Sequence, residues 1–354
     1  MAYQIQKNNL HNYRNNYNFD INFNQVFAFH HSLSQYYPTP LHNLNGLAKL
    51  RKVKRIYVKD ESCRFNLNAF KGLGVSYAMN KVLEKNISPV VFVTATDGNH
   101  GRAVAWYAKY TGNDAIIFMP HGSEQRRVKA IEEMGARTFV LDLNYDDTVR
   151  YADKYASENN YVFLQDTATE DNEENVRNII LGYSTLVEEA LSFMDEKPTH
   201  VFVQAGVGSL AGGVIWYLSN RYKGKVPYIG VIESSACPCI YESVVKKSTF
   251  FIEGMPKTIM AGLNCGEPNY MTLPLIDAYA SWVIQCDDDI TIRGMELARH
   301  PVCRDPAFSS GESGAVGLGF IDMVLQNKQE RDKLKIDENS IILLFSTEGE
   351  LRNE

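Results

Sequence analysis

From about residue 90 the chain alternates short apolar runs with helical stretches of some ten to twelve residues, and this alternation restricts the fold more than any other feature. Val90-Val91-Phe92-Val93-Thr94 is a continuous apolar run, the mark of a strand covered on both faces. Further runs stand at 115–119, 137–141, 161–164, 201–204, 228–233 and 341–345, with 56–60 upstream. Helices are predicted over 102–110, 124–134, 146–159 and 209–220, and another opens at Lys71. Strands that alternate with helices in this way form parallel βαβ units, so the chain is expected to be an α/β protein. At 354 residues it exceeds one compact core and should divide into roughly two domains. Residues 1 to about 35 show no clear period and read as an arm over the body or a subunit contact. Arg51-Lys52-Val53-Lys54-Arg55 reads as a solvated turn.

A net charge of −6 and a pI near 5.8 argue against nucleic acid or an anionic membrane as the main partner. No run of about 18 apolar residues occurs, so no membrane span is expected. The first 24 residues hold eight asparagines and no basic-then-apolar pattern, so export is not indicated. Six dispersed cysteines make no disulfide scaffold. Cys237-Pro-Cys239, the closest pair, lacks the spacing and companion ligands of a zinc site, so no metal is expected. A reducing cytoplasm fits all of this.

In open α/β sheets ligands bind at the carboxyl ends of strands, and several polar stretches occupy that place here. Lys71 follows the strand at 56–60 within Asn68-Ala69-Phe70-Lys71-Gly72-Leu73-Gly74, where an apolar helix begins. Burial and the positive end of the helix dipole both lower an amine's pKa, and a neutral amine is what imine formation requires. A surface lysine at a helix start is the plainer reading. Gly206-Val207-Gly208-Ser209 leaves a strand and opens a helix, an arrangement that lets backbone N–H groups crowd round a phosphate. A dinucleotide site needs a third glycine and a distant acid; Glu233 could serve, but the glycine spacing favours a compact phosphate. Asp97-Gly98-Asn99-His100-Gly101 offers backbone donors, an amide and an ionisable pair, with capping of the next helix as the alternative. Asp166 ends the strand at 161–164; helix capping is again the alternative, and Glu170, Asp171, Glu173 and Glu174 beyond it read as a solvated helix face.

Taken together these stretches resemble the pyridoxal phosphate enzymes of fold type II, the superfamily of tryptophan synthase β and the serine and threonine dehydratases, and within it most closely the diaminopropionate ammonia-lyase family. The likeness lies in Lys59-Asp60-Glu61-Ser62, Leu67-Asn68-Ala69-Phe70-Lys71, Thr96-Asp97-Gly98-Asn99-His100-Gly101-Arg102, Gln165-Asp166-Thr167, Gln204-Ala205-Gly206-Val207-Gly208, Met260-Ala261-Gly262-Leu263, the glycine-rich run 311–319 and Ser346-Thr347-Glu348-Gly349. It implies two open, twisted, mostly parallel sheets flanked by helices, with the cofactor between a large domain (1–70 and 166–354) and a small one (71–165). Lys71 would hold pyridoxal 5'-phosphate through a Schiff base and Asn99 would meet its ring hydroxyl. Gly206, Val207, Gly208 and Ser209 would hold its phosphate, and Thr347, or Ser346 beside it, would meet the pyridine nitrogen. Thr96, Asp97, Gly98 and His100 would cradle the substrate carboxylate.

An acid at position 97, where many relatives carry serine or threonine, suits a substrate with a second amine that must leave protonated. The resemblance then implies that Lys71 removes the Cα proton of the L-isomer and Asp97 that of the D-isomer, with Asp166 assisting. Loss of the β-ammonia from 2,3-diaminopropionate gives aminoacrylate, which hydrolyses to pyruvate and a second ammonia. A homodimer is also implied. A serine or threonine dehydratase or a β-replacement enzyme on the same scaffold is the nearest alternative. A non-catalytic amino-acid- or nucleotide-binding protein is the alternative from another class.

Overall fold

The computed structural model describes residues 3–8, 21–86, 89–96, 98–167, 172–223, 225–254 and 256–350. Its strands are β1 (Tyr3–Lys7), β2 (Leu41–Asn43), β3 (Arg55–Asp60), β4 (Val91–Ala95), β5 (Asp114–Met119), β6 (Arg137–Val140), β7 (Val162–Phe163), β8 (His200–Gln204), β9 (Tyr228–Ser234), β10 (Trp282–Cys286) and β11 (Ile341–Ser346). They form a seven-stranded sheet, order β1-β10-β9-β8-β11-β3-β2, and a four-stranded sheet, order β6-β5-β4-β7. The smaller sheet is parallel throughout, and the larger is parallel except at its edges, where β1 and β2 run against their neighbours.

Each strand expected from the apolar runs lies within one residue of its expected bounds. Burial on both faces accounts for the continuous runs. In β8, Val201 and Val203 face one core with Val214 and Leu218 of the helix Ser209–Arg221, while Phe202 faces the other with Val316 and Phe320 of the helix Glu312–Val324.

Two expectations need correction. The N-terminal segment is not an arm where it is described: residues 3–7 are the edge strand β1, with Tyr3 edge-on to Phe320 at 5.4 Å, and Phe23–Ser32 is a helix that buries Val26 and His30. Its alternating and polar side chains hid both elements, because an edge strand and a surface helix need only half an apolar face. Nor is the basic run at 51–55 simply solvated. Arg51 Nε donates to the fully buried Asp322 at 2.8 Å, a carboxylate that Arg293 also pairs with. Removing two charges from water together costs less than stranding Asp322 alone.

One buried network bears on function. Arg64 donates to both oxygens of Glu61 at 2.8 Å and to Glu189 at 2.7 and 2.9 Å, while Lys59 donates to Glu189 at 2.6 Å and to the Thr39 carbonyl at 2.7 Å. It ties the end of β3 to the helix Ser184–Ser192 directly beneath the turn that leads to Lys71. That turn contains Phe65, Asn66 and Asn68 at φ of 50°, 59° and 58°, left-handed conformations that side chains resist unless their surroundings hold them.

Candidate active site

The carboxyl ends of β4, β7, β8 and β11 open on one cleft, with Lys71 entering from the helix that follows β3. Lys71, Thr96, Asn99, His100, Asp166, Gly206, Val207, Gly208, Ser209 and Thr347 all line it. Of the other residues singled out in the sequence, Gly98 begins the helix Asn99–Thr111 beside the cleft, and Asp97 lies outside the described residues.

Lys71 opens the helix Lys71–Leu83, and its Nζ is ion-paired with the Asp166 carboxylate. This reverses the expected direction of its pKa. Burial does pull the ammonium down, but the adjacent Asp166 carboxylate outweighs it and the pKa is raised, so Lys71 stands charged in the chain by itself. Burial likewise pushes the Asp166 carboxyl up, and Lys71 outweighs it, holding Asp166 ionised. Asp166 is not a helix cap, since the next helix, Glu173–Gly182, starts after Asn172. Its backbone is pinned instead: the Asp166 carbonyl accepts from Ser209 Oγ at 2.5 Å and from Asn269 Nδ2 at 3.0 Å.

The loop after β4 is shaped by its own bonds. Thr96 Oγ1 accepts the Gly98 N–H at 2.9 Å, and Gly98 takes a φ of 156°. His100 Nε2 lies 3.0 Å from the Leu164 carbonyl, which only a protonated nitrogen can face. Burial lowers the His100 pKa, so the ring is neutral and its Nδ1 carries a lone pair, buried and without a partner among the described residues. The Asn99 amide donates to Glu348, whose other oxygen accepts the Ser313 N–H at 3.0 Å.

The glycine loop is a cradle that side chains would fill. Gly208 has a φ of 98°, and a Cβ there would lie 2.9 Å from Ile240; on Gly206 it would lie 2.7 Å from the Gly262 carbonyl. The N–H groups at the start of the helix Ser209–Arg221 close one side. Glu233 is committed elsewhere, accepting the N–H groups of Ile240 at 2.9 Å and Tyr241 at 2.6 Å to cap the helix Cys239–Lys246, which removes the acid that a dinucleotide reading needs. At the last strand, Ser346 Oγ is turned to Ser310 at 2.7 Å, whereas Thr347 lines the cleft. A lysine aimed into the cleft, a glycine cradle at a helix N-terminus and a hydroxyl opposite fit pyridoxal phosphate.

Glu348, Gln204 and Asn269 were not anticipated as site residues. Gln204 could have been noticed as a polar residue closing the apolar run Val201-Phe202-Val203; Asn269 belongs to no pattern.

Sheet order, cleft position and this donor set define an α/β pyridoxal phosphate enzyme of fold type II. Residues 33–345 match the family described as pyridoxal-phosphate dependent enzyme. Diaminopropionate ammonia-lyase of Escherichia coli K12 is 43% identical over 345 residues, 91% of this chain and 87% of that protein. The enzyme of the same name from Salmonella typhimurium LT2 is 42% identical, over 92% of this chain and 88% of its own length. The crystal structure of the holo Escherichia coli enzyme superimposes with a TM-score of 0.91 at 39% identity, covering 98% of this chain and 93% of that one. Its complex with an aminoacrylate-PLP azomethine intermediate gives 0.89, also at 39% identity, over 98% and 94%. The chain belongs to the pyridoxal-phosphate dependent enzymes and, among them, to the diaminopropionate ammonia-lyase family.

Proposed function

We propose that the enzyme eliminates ammonia from 2,3-diaminopropionate, consuming one water and yielding pyruvate and two ammonia. The observation that carries this reading is the single cleft in which Lys71, ion-paired with the ionised Asp166, faces the glycine cradle and Thr347. When bound, pyridoxal phosphate supplies the electron sink that lets the Cα–H and Cβ–N bonds break.

The chain's own residues do the rest. Lys71 holds the cofactor, and its Nζ, once released, accepts the Cα proton of the L-isomer. Asp97 accepts that of the D-isomer. The acid at Asp97 also suits the second amine, which must leave protonated, and Asp166 assists. The backbone N–H groups of Gly206, Val207, Gly208 and Ser209 hold the phosphate, Asn99 the ring hydroxyl and Thr347 the ring nitrogen. Thr96, Gly98 and the backbone N–H of His100, at the start of the helix Asn99–Thr111, receive the substrate carboxylate. Released aminoacrylate hydrolyses to pyruvate. The small domain comprises 71–165 and the large domain 1–70 with 166–354. The enzyme works as a homodimer, and a cytoplasmic location is supported by its free cysteines.

The test is a substrate panel with 2-oxo-acid detection, run on both isomers of diaminopropionate and on serine and threonine. Diaminopropionate is expected to turn over fastest, and turnover of serine without diaminopropionate would make the enzyme a dehydratase. In parallel, Lys71→Ala is expected to lose both pyruvate formation and the visible band of the bound cofactor. A band that survived would place the cofactor's lysine elsewhere.

A further inference from the structure

Behind Thr347 stands Gln204, the last residue of β8, only 2% exposed. Its Nε2 faces the carbonyls of Ser313 at 3.0 Å, Gly314 at 3.3 Å and Phe345 at 2.9 Å, and Thr347 Oγ1 at 3.0 Å. Three carbonyls around one atom admit only the NH2 end of the amide. That nitrogen offers no lone pair, so Thr347 Oγ1 must be the acceptor in their bond. No described residue accepts from the Thr347 hydroxyl, which leaves its proton for the cleft. The far end of the amide agrees: Gln204 Oε1 is buried without a hydrogen-bond partner among the described residues, a cost the fold bears to keep the nitrogen where it is.

We propose that Gln204 is a positioning residue which, by donating to Thr347 Oγ1, turns the hydroxyl proton into the cleft so that the cofactor's ring nitrogen meets a donor and stays unprotonated. This rests on the reading of Thr347 as the ring partner and deepens it. An unprotonated ring nitrogen draws electrons less strongly, which shortens the life of negative charge at Cα and favours departure of the β-amine over return of the proton. Through Thr347 this one amide biases the enzyme toward elimination and away from racemisation.

The experiment loads the enzyme with pyridoxal phosphate labelled at its ring nitrogen and records the ¹⁵N resonance of the holoenzyme. The wild type is expected at the position of an unprotonated, hydrogen-bonded pyridine. Gln204→Met should move it toward the unbonded position, as Thr347→Val does, whereas Thr347→Ser should keep the wild-type value. The double variant should move no further than Thr347→Val alone. Elimination should slow roughly ten-fold in kcat with KM little changed. A Gln204→Met protein with a lowered Tm but a wild-type resonance overturns the positioning role and leaves Thr347 as ring partner. An unchanged resonance in Thr347→Val overturns both. Gln204→Asn, which draws the amide back by one methylene, takes the place of the methionine variant if that does not fold, and the same two outcomes decide.

Discussion

Two carboxylates and one amine account for most of the chemistry at the residue scale. Asp166 has a depressed pKa in the fold, so it contributes stability above the ordinary carboxylate range and loses it as pH falls through the depressed value. Without cofactor, the chain is therefore expected to melt earlier as pH drops below about 4, and Asp166→Asn should flatten that acid limb. Thermal melts across pH check it; an identical acid limb in the variant would mean that the Lys71 pairing contributes nothing. Asp97→Asn is expected to cost turnover of the D-isomer about 100-fold and to spare the L-isomer, as removal of one positioned base would do. Equal losses on both isomers, measured by pyruvate release, would contradict separate bases. The glycine loop and Asp166 were legible in the sequence because each follows the end of a strand, and Lys71 because it opens an apolar helix. The direction of the Lys71 pKa was not, because its partner lies 95 positions away.

Elements that touch over short distances make the glycines of this chain meaningful. The helices Asp288–Arg299 and Glu312–Val324 cross so closely that a Cβ on Gly294 would strike the Ala315 carbonyl, and one on Gly319 the Ile290 carbonyl. Gly319→Ala is expected to lose about 1–3 kcal/mol through overpacking, read from denaturant midpoints, with the cofactor band of the surviving folded fraction unchanged. A variant as stable as the parent would show that the helices can part. The parallel strands were readable from their apolar runs, since burial on both faces leaves no room for polar alternation. β1, β2 and β10 escaped because edge strands carry mixed patterns and β10 follows a short helix with only a brief apolar run.

Across the whole molecule the Arg64 network joins the core to the catalytic turn. Burial pushes the Glu61 carboxyl up, yet Arg64 and Lys59 outweigh it and bring it to about 2. Its contribution to stability is thus present above the ordinary value of 4.5 and disappears as pH falls toward about 2. Arg64→Met should cost about 3–5 kcal/mol, because Glu61 and Glu189 remain buried without their main counter-charge. Chemical denaturation measures it, and a loss under about 1 kcal/mol would mean that the network is replaceable. Sequence patterns alone could not reveal this cluster, since Thr39, Lys59, Arg64 and Glu189 meet only after two layers have packed.

The bond from Asn99 to Glu348 joins a helix of the smaller sheet to the tip of the larger one. Drawing the two sheets apart would break that bond and leave the Glu348 carboxylate with the Ser313 N–H on its other oxygen, so the Asn99 amide helps to fix how far apart the two sheets stand across the cleft they share.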